Sequence, residues 1–176
     1  GACWGEKINA AITHAMSYGR GSAEIVLPPG NLNISVPIRF WRQIKTGTVD
    51  TTCADTKHTR SIVAAWNCTR GAQGSDLPQG LMLRGIGGST GNVFEGGSRL
   101  TWVGPPDNVM IEMPAPWHCR IKQIALHGMW VRGVAGIRYR AGWDFGTNGG
   151  KQNLFEDLVF EGLDTGMIIG YPLSPD

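Results

Sequence analysis

The sequence predicts an all-β protein, a right-handed parallel β-helix (solenoid) in which short strands stack coil upon coil behind an amino-terminal amphipathic helix. Two observations lead to this prediction. The stretch "CRIKQIALHG" (119–128) returns 34 residues later as "NLFEDLVFEG" (153–162), and each copy is followed by a second echo, "GIRYR" and then "GMIIG". The 26 glycines lie between short apolar runs and not in one block, which is typical of short strands joined by turns.

The composition sets the class of protein. A chain of 176 residues with 41% hydrophobic residues can bury one core, so a single domain covering 1–176 is predicted. The formal net charge is only +2 and its lysines and arginines are scattered, which argues against nucleic acid as a partner. No apolar run approaches the length of a membrane span, so no membrane partner is predicted.

The first element is a helix over 6–19. In "EKINAAITHAMSYG" the apolar residues Ile8, Ile12 and Met16 recur on one helical face, and Gly19 is expected to end the helix. We expect this helix to cap the first coil, because the end of a solenoid otherwise exposes apolar side chains and unpaired backbone groups.

Strand patterns follow the helix. "AEIVLPPGNLNISVPI" contains two apolar runs around a Pro-Pro-Gly turn. The polar segment 42–79 is too long for an ordinary connection and is predicted to be a surface excursion. Strands resume at "GLMLRG", "SRLTWVG" and "NVMIEMP", and 80–170 is predicted to form the stacked coils.

The repeat also predicts which residues lie side by side. Its alignment superposes three apolar pairs, Ile121 on Phe155, Ile124 on Leu158 and Leu126 on Phe160. Strict alternation would need even spacing, whereas these residues follow i, i+3 and i+5. A bend at the superposed residues Gln123 and Asp157 would direct all three residues of each copy into one interior.

This order of elements resembles the amino-terminal part of the pectate lyase-like β-helix superfamily. The resemblance is based on the helix, "IVLPPGNLNISVPI", "LMLRGIGG", "SRLTWVG" and the two repeated units. It implies relatives that cleave or bind polysaccharides or that serve as phage tailspikes. For a lyase it also implies calcium that neutralises a uronate carboxylate, although no acidic cluster in this sequence is typical of a calcium site, and no metal site is predicted.

The cysteines and sequons favour an oxidising location. Cys53 and Cys68 could close a 15-residue loop, which would stabilise the fold by about 3 kcal/mol. The triplets at Asn33 and Asn67 match glycosylation acceptors. A secreted protein, or one on a virion surface, is predicted.

The repeat suggests one catalytic arrangement. If the apolar residues point inward, then Glu156 and Glu161 point outward, and their neighbours in the preceding coil are Lys122 and His127. Glu161 with His127, together with Glu156, could act as general acid and base on a sugar. The alternative is a solvated charge ladder that only pairs neighbouring coils.

The connections suggest a binding arrangement. They carry Trp130, Arg138, Arg140, Trp143 and Asp144. Aromatic faces stack on sugar rings and arginines bind carboxylates in pairs of hydrogen bonds, so this set favours an acidic polysaccharide. The alternative is that the tryptophans pack loops against the coils.

Two functions therefore follow from the sequence. The first is an extracellular module that binds or degrades polysaccharide, as a lyase or a glycoside hydrolase if it is an enzyme. The second is a non-catalytic structural or adhesion protein, such as a tailspike segment or filament subunit. Met167 and Ile169 are expected to face the interior of the last coil, which would need a cover, either further coils of a longer chain or other copies in a trimer or filament.

Overall fold

The computed structural model describes residues 3–17, 22–40, 79–87, 96–114, 117–140 and 152–169. Several predicted features lie outside these residues: the 42–79 excursion apart from Gln79, the Cys53–Cys68 disulfide, the Asn67 sequon, and the side chains of Arg140, Trp143 and Asp144. Among the described residues there is one helix, α1 (Trp4–Met16), and ten strands. The strands are β1 (Glu24–Val26), β2 (Gly30–Ile34), β3 (Ile38–Arg39), β4 (Met82–Arg84), β5 (Ser98–Trp102), β6 (Val109–Pro114), β7 (Arg120–His127), β8 (Ala135–Arg140), β9 (Leu154–Glu161) and β10 (Thr165–Ile169).

The strands form two parallel sheets. The larger, sheet A, has the order β1-β4-β7-β5-β2, and β9 pairs with the other side of β7. The smaller, sheet B, has the order β10-β8-β6-β3. Sheet A curls into a half-barrel, because β7 pairs with β4 along its first half and with β5 along its second half.

A bend in β7 and β9 produces this curl. Gln123 and Asp157 have φ angles of 57° and 50°, in the left-handed region that turns the chain. The predicted bend is therefore confirmed. Gly85 occupies the same corner at the end of β4, where a side chain would overlap the carbonyl oxygen of Gln123.

The predicted residue pairs are confirmed. Register places Ile121 beside Phe155, Ile124 beside Leu158 and Leu126 beside Phe160. The second echo also pairs, with Met167 next to Ile137. The inner faces of both sheets supply one core, in which Ile121, Leu126 and Ile137 are fully buried.

Helix α1 belongs to the same core. Ile8, Ile12 and Met16 are buried together with the strand residues, and the Asn9 amide donates to the Pro37 carbonyl at 2.8 Å and accepts from the Arg39 amide at 2.8 Å. The helix begins two residues before its predicted start and ends at Met16, three residues early. Cys3 is the N-cap residue, and its side chain makes no capping hydrogen bond.

The prediction of an all-β solenoid is wrong. The structure is an α/β fold, in which one helix packs on two parallel sheets and supplies part of their core. The reason is physical: a repeat of apolar residues reports which strands pair, but it does not report which other element covers their apolar face.

The inward-facing residues of the edge strands β9 and β10 are incompletely covered, although the Phe160 ring lies against Gly136 and Gly166 of sheet B. Ile169 is 70% exposed and Phe160 is 38% exposed, whereas Met167 is partly buried against the core. Within the described residues, β9 and β10 each pair with a single strand, so their side chains have neighbours on one side. Association of copies through this edge stays a prediction. None of the helices in the described part of the chain is long and apolar enough to span a membrane.

Candidate functional site

The second half of sheet A carries a row of polar side chains on its outer face. Thr101 of β5 lies beside His127 of β7, which lies beside Glu161 of β9. Each follows an apolar residue that points inward, since successive strand residues face opposite sides. The row therefore lies outside the core, as the sequence predicted for His127 and Glu161.

Arg99 covers this row. It lies two residues before Thr101, next to the small side chain of Ala125. Its Nη2 is 3.5 Å from Oε2 of Glu161, two strands away. The guanidinium group therefore crosses over β7, and this explains why the outward-facing His127 is only 4% exposed.

A tight turn after β7 adds an aromatic side chain. The Val131 amide donates to the Gly128 carbonyl at 3.1 Å, and the two central residues, Met129 and Trp130, have φ angles of 55° and 54°. These angles match a type I′ turn, which normally has Asn and Gly at its centre. Two bulky residues in the left-handed region represent local backbone strain.

The turn presents Trp130 beside the polar row. Its amide donates to the Gly162 carbonyl at 2.9 Å, and its ring lies so close to Gly162 that a side chain there would be 3.2 Å from the indole. The ring also meets His127 edge to face, with centroids 5.3 Å apart. Trp130 nevertheless remains 73% exposed, so it does not serve as buried packing for the loop.

The surroundings of His127 lower the pKa of its imidazole. Burial lowers the pKa of its imidazole below the ordinary value, the charge of Arg99 lowers it further, and Glu161 opposes these effects. Nε2 of His127 lies 4.0 Å from Oε1 of Glu161, which is beyond hydrogen-bond distance. These surroundings therefore favour the neutral imidazole over the charged one.

Four buried polar atoms lack a hydrogen-bond partner in the described residues, and all four lie here. They are Nε of Arg99, Oγ1 of Thr101, Nδ1 of His127 and Oε2 of Glu161. Buried polar atoms are nearly always paired, so each unpaired one needs an explanation, such as an ordered water, a bound ion or a functional role. The cluster of Arg99, Thr101, His127, Trp130 and Glu161 is the candidate functional site.

The other predicted site residues lie elsewhere. Glu156 pairs with Lys122 on the first half of β9, before the bend. Arg138 belongs to sheet B, where its Nη1 is 3.9 Å from Oε1 of Glu112. The structure thus brings together His127, Glu161 and Trp130, but neither Glu156 nor Arg138.

Sequence reasoning missed Arg99 and Thr101. Both lie in "SRLTWVG", which was interpreted only as a strand. The alternation in this stretch does place Arg99 and Thr101 on one face, opposite the buried Leu100 and Trp102. The signal for a polar outer face was present, but not the signal for which strand would lie beside it.

No metal site accompanies the cluster in the part of the chain that the structure describes, where no three His, Cys, Asp or Glu side chains could hold one ion. The sulfur of Cys3 accepts a hydrogen bond from the Ser35 amide at 3.1 Å, and the buried thiol of Cys119 donates to the Trp117 carbonyl at 3.4 Å. Asn33 of the first sequon is exposed in β2, so its modification stays a prediction. Comparisons of the chain with models of protein families, with curated proteins and with solved structures found no match.

Proposed function

We propose that this protein binds polysaccharide on the outer face of sheet A, at the cluster around Trp130. The observation that carries the proposal is the exposed indole of Trp130, 73% accessible, held edge-on against a buried histidine. An exposed, fixed aromatic ring provides a flat apolar surface of the kind that sugar rings stack on.

The strained turn supports a binding role. Met129 and Trp130 both adopt left-handed backbone angles, which cost about 1 kcal/mol or more for each non-glycine residue. Exposed side chains return little of this energy to the fold. Strain of this kind is retained where it positions a side chain for a ligand.

The polar groups complement the ring. The Glu161 side chain is 40% exposed, and its carboxylate accepts hydrogen bonds from sugar hydroxyls. Arg99 and Gly162 fix the carboxylate and the indole from below. A few positioned polar groups beside an apolar surface are the usual composition of a small-molecule site.

Binding without cleavage is the function that this geometry supports best. Glycoside hydrolysis generally uses two carboxyl groups about 5 to 9.5 Å apart. Glu156 and Glu161 are five residues apart in β9, which corresponds to about 16 Å along a straight strand. The bend at Asp157 shortens this distance only in part.

The test measures binding of a panel of soluble oligosaccharides by titration calorimetry. At least one should bind, and Trp130→Ala should weaken that binding about tenfold or more, since central aromatic residues dominate such contacts. Met129→Ala is the matched control, because Met129 is 50% exposed in the same turn, and it should bind as the wild type does. Absence of binding across the panel, or equal binding by Trp130→Ala, would refute the proposal.

A further inference from the structure

We infer that the saccharide bound at Trp130 is neutral and rich in hydroxyl groups, not a uronate. This inference rests on the proposed function and narrows its ligand. It starts from the unequal exposure of the charged groups in the cluster.

Among the charged residues of the cluster, only Glu161 is substantially accessible, and its charge is negative. The side chain of Glu161 is 40% exposed, whereas those of Arg99 and His127 are 11% and 6% exposed. Arg99 contacts the carboxylate and both Arg99 and His127 are largely buried, so neither offers an accessible cation to a ligand. A ligand that stacks on Trp130 therefore meets an acceptor, which suits hydroxyl donors and repels a carboxylate.

The other charged residues described near the turn do not add an unpaired positive charge. Arg132 is exposed two residues after Trp130, but its Nη2 is 3.1 Å from Oδ2 of Asp107. The carboxylate of Asp164 accepts from the Gly133 amide in the same region. Among these described residues, the carboxylates of Glu161, Asp107 and Asp164 outnumber the one arginine, which pairs with Asp107.

The sequence had favoured an acidic polysaccharide through Arg138 and its neighbours. Arg138 lies on sheet B beside Glu112, on a different sheet from Trp130. The cation that was expected to bind a uronate therefore does not belong to this site.

The test uses pairs of oligosaccharides that differ only at C6, which carries a hydroxymethyl group in one and a carboxylate in the other. The best binder in the panel is compared with its oxidised or reduced counterpart at pH 7.5. We expect the neutral member to bind at least about fivefold more tightly, since like charges about 4 Å apart repel by this much even in water. A smaller ratio, or a preference for the carboxylate, overturns the inference.

A variant identifies the source of the preference. Glu161→Gln should narrow the ratio towards one, whereas Glu156→Gln, on the same strand before the bend, should leave it unchanged. An unchanged ratio in folded Glu161→Gln overturns the inference. If this variant does not fold, a salt titration of the wild type decides: the ratio should fall as salt screens the repulsion, and a constant ratio overturns the inference.

The two proposals fail in different ways. If neither member of any pair binds, or if binding is indifferent to Trp130→Ala, the proposed function fails. If the uronate binds more tightly and Trp130→Ala abolishes that binding, the site stands and only the inference about its ligand fails.

Discussion

The outer faces of the two sheets carry similar rows of polar residues with different properties. On sheet B, Arg39, Glu112 and Arg138 lie on three neighbouring strands, and the carboxylate is 3.7 and 3.9 Å from the two guanidinium groups. On sheet A, the middle position holds the buried His127, between Thr101 and Glu161.

The comparison shows how a row of polar residues that only stabilises a sheet differs from one that forms a candidate binding site. In the row on sheet B, opposite charges alternate and satisfy one another, and none of the unpaired buried atoms of the described residues belongs to it. The row on sheet A has three such atoms, Arg99 above it has a fourth, and an exposed tryptophan lies beside it. Both rows arise from the parallel pairing of strands. Only the row on sheet A is followed by a turn that places a tryptophan, Trp130, beside it, and this makes it a candidate site.

The largest losses of stability should come from core substitutions, and they should be similar in the two sheets, because both sheets share one interior. Leu126 of sheet A and Ile137 of sheet B are fully buried. Leu126→Ala and Ile137→Ala should each lower the free energy of unfolding by about 3 kcal/mol, measured by urea denaturation. If one of the two costs less than about 1 kcal/mol, the sheets do not share a core equally.

Glycine substitutions should have smaller effects on stability, but their effects on saccharide binding should differ between sheet A and sheet B. In Gly128→Ala the new methyl group would overlap the Gly162 carbonyl, and in Gly136→Ala it would be 2.6 Å from the Gly166 carbonyl. Each should cost about 2 kcal/mol of stability, a usual value for overpacking. Only Gly128→Ala should also weaken saccharide binding, because Trp130 rests on Gly162. Equal binding by both variants would contradict the proposed position of the site.

The pH dependence of stability should reveal His127. Its pKa is lowered in the folded state, so below about pH 6.5 the unfolded chain takes up a proton that the folded chain does not. Stability is therefore unaffected by this group at higher pH and falls as the pH drops, by at most about 1.4 kcal/mol per pH unit, until the folded-state pKa is reached.

Urea midpoints at pH 7.5, 6.0 and 5.0 measure this effect. His127→Gln should lose less stability on acidification than the wild type does. If stability falls equally with decreasing pH in the two proteins, the surroundings of His127 do not lower its pKa.

The smallest expected effect is an increase in stability, from a substitution at Met129. Met129 has a φ of 55° and is half exposed, so Met129→Gly relieves left-handed strain while losing few contacts. We expect a stabilisation of about 0.5 to 1 kcal/mol. Met129→Ala keeps the strained angle and should show no gain; an equal gain in both variants would mean that the turn is not strained.

Much of the strand pairing was predictable from the sequence. Apolar residues recur at the same spacing in both copies of the repeat, and parallel strands align equivalent residues, so Ile121 had to lie beside Phe155 if the copies were neighbours. The interruption of alternation at Gln123 and Asp157 predicted a bend, and both residues are left-handed.

The candidate site was only partly predictable. The repeat placed His127 next to Glu161, but Arg99 comes from a strand about 60 residues before Glu161 and belongs to no repeat. The turn that presents Trp130 has neither Asn nor Gly at its centre, so its type could not be recognised from the usual turn residues.

The sequence by itself determined which residues of the repeated strands face inward and lie side by side, because these depend on the spacing of apolar residues along the chain. Only the tertiary structure decided that helix α1 shares the core, that His127 is buried although it faces outward, and that Trp130 is exposed beside it. These features depend on contacts between segments that are distant in sequence. The spacing of apolar residues within one segment does not indicate which other segment will pack against it.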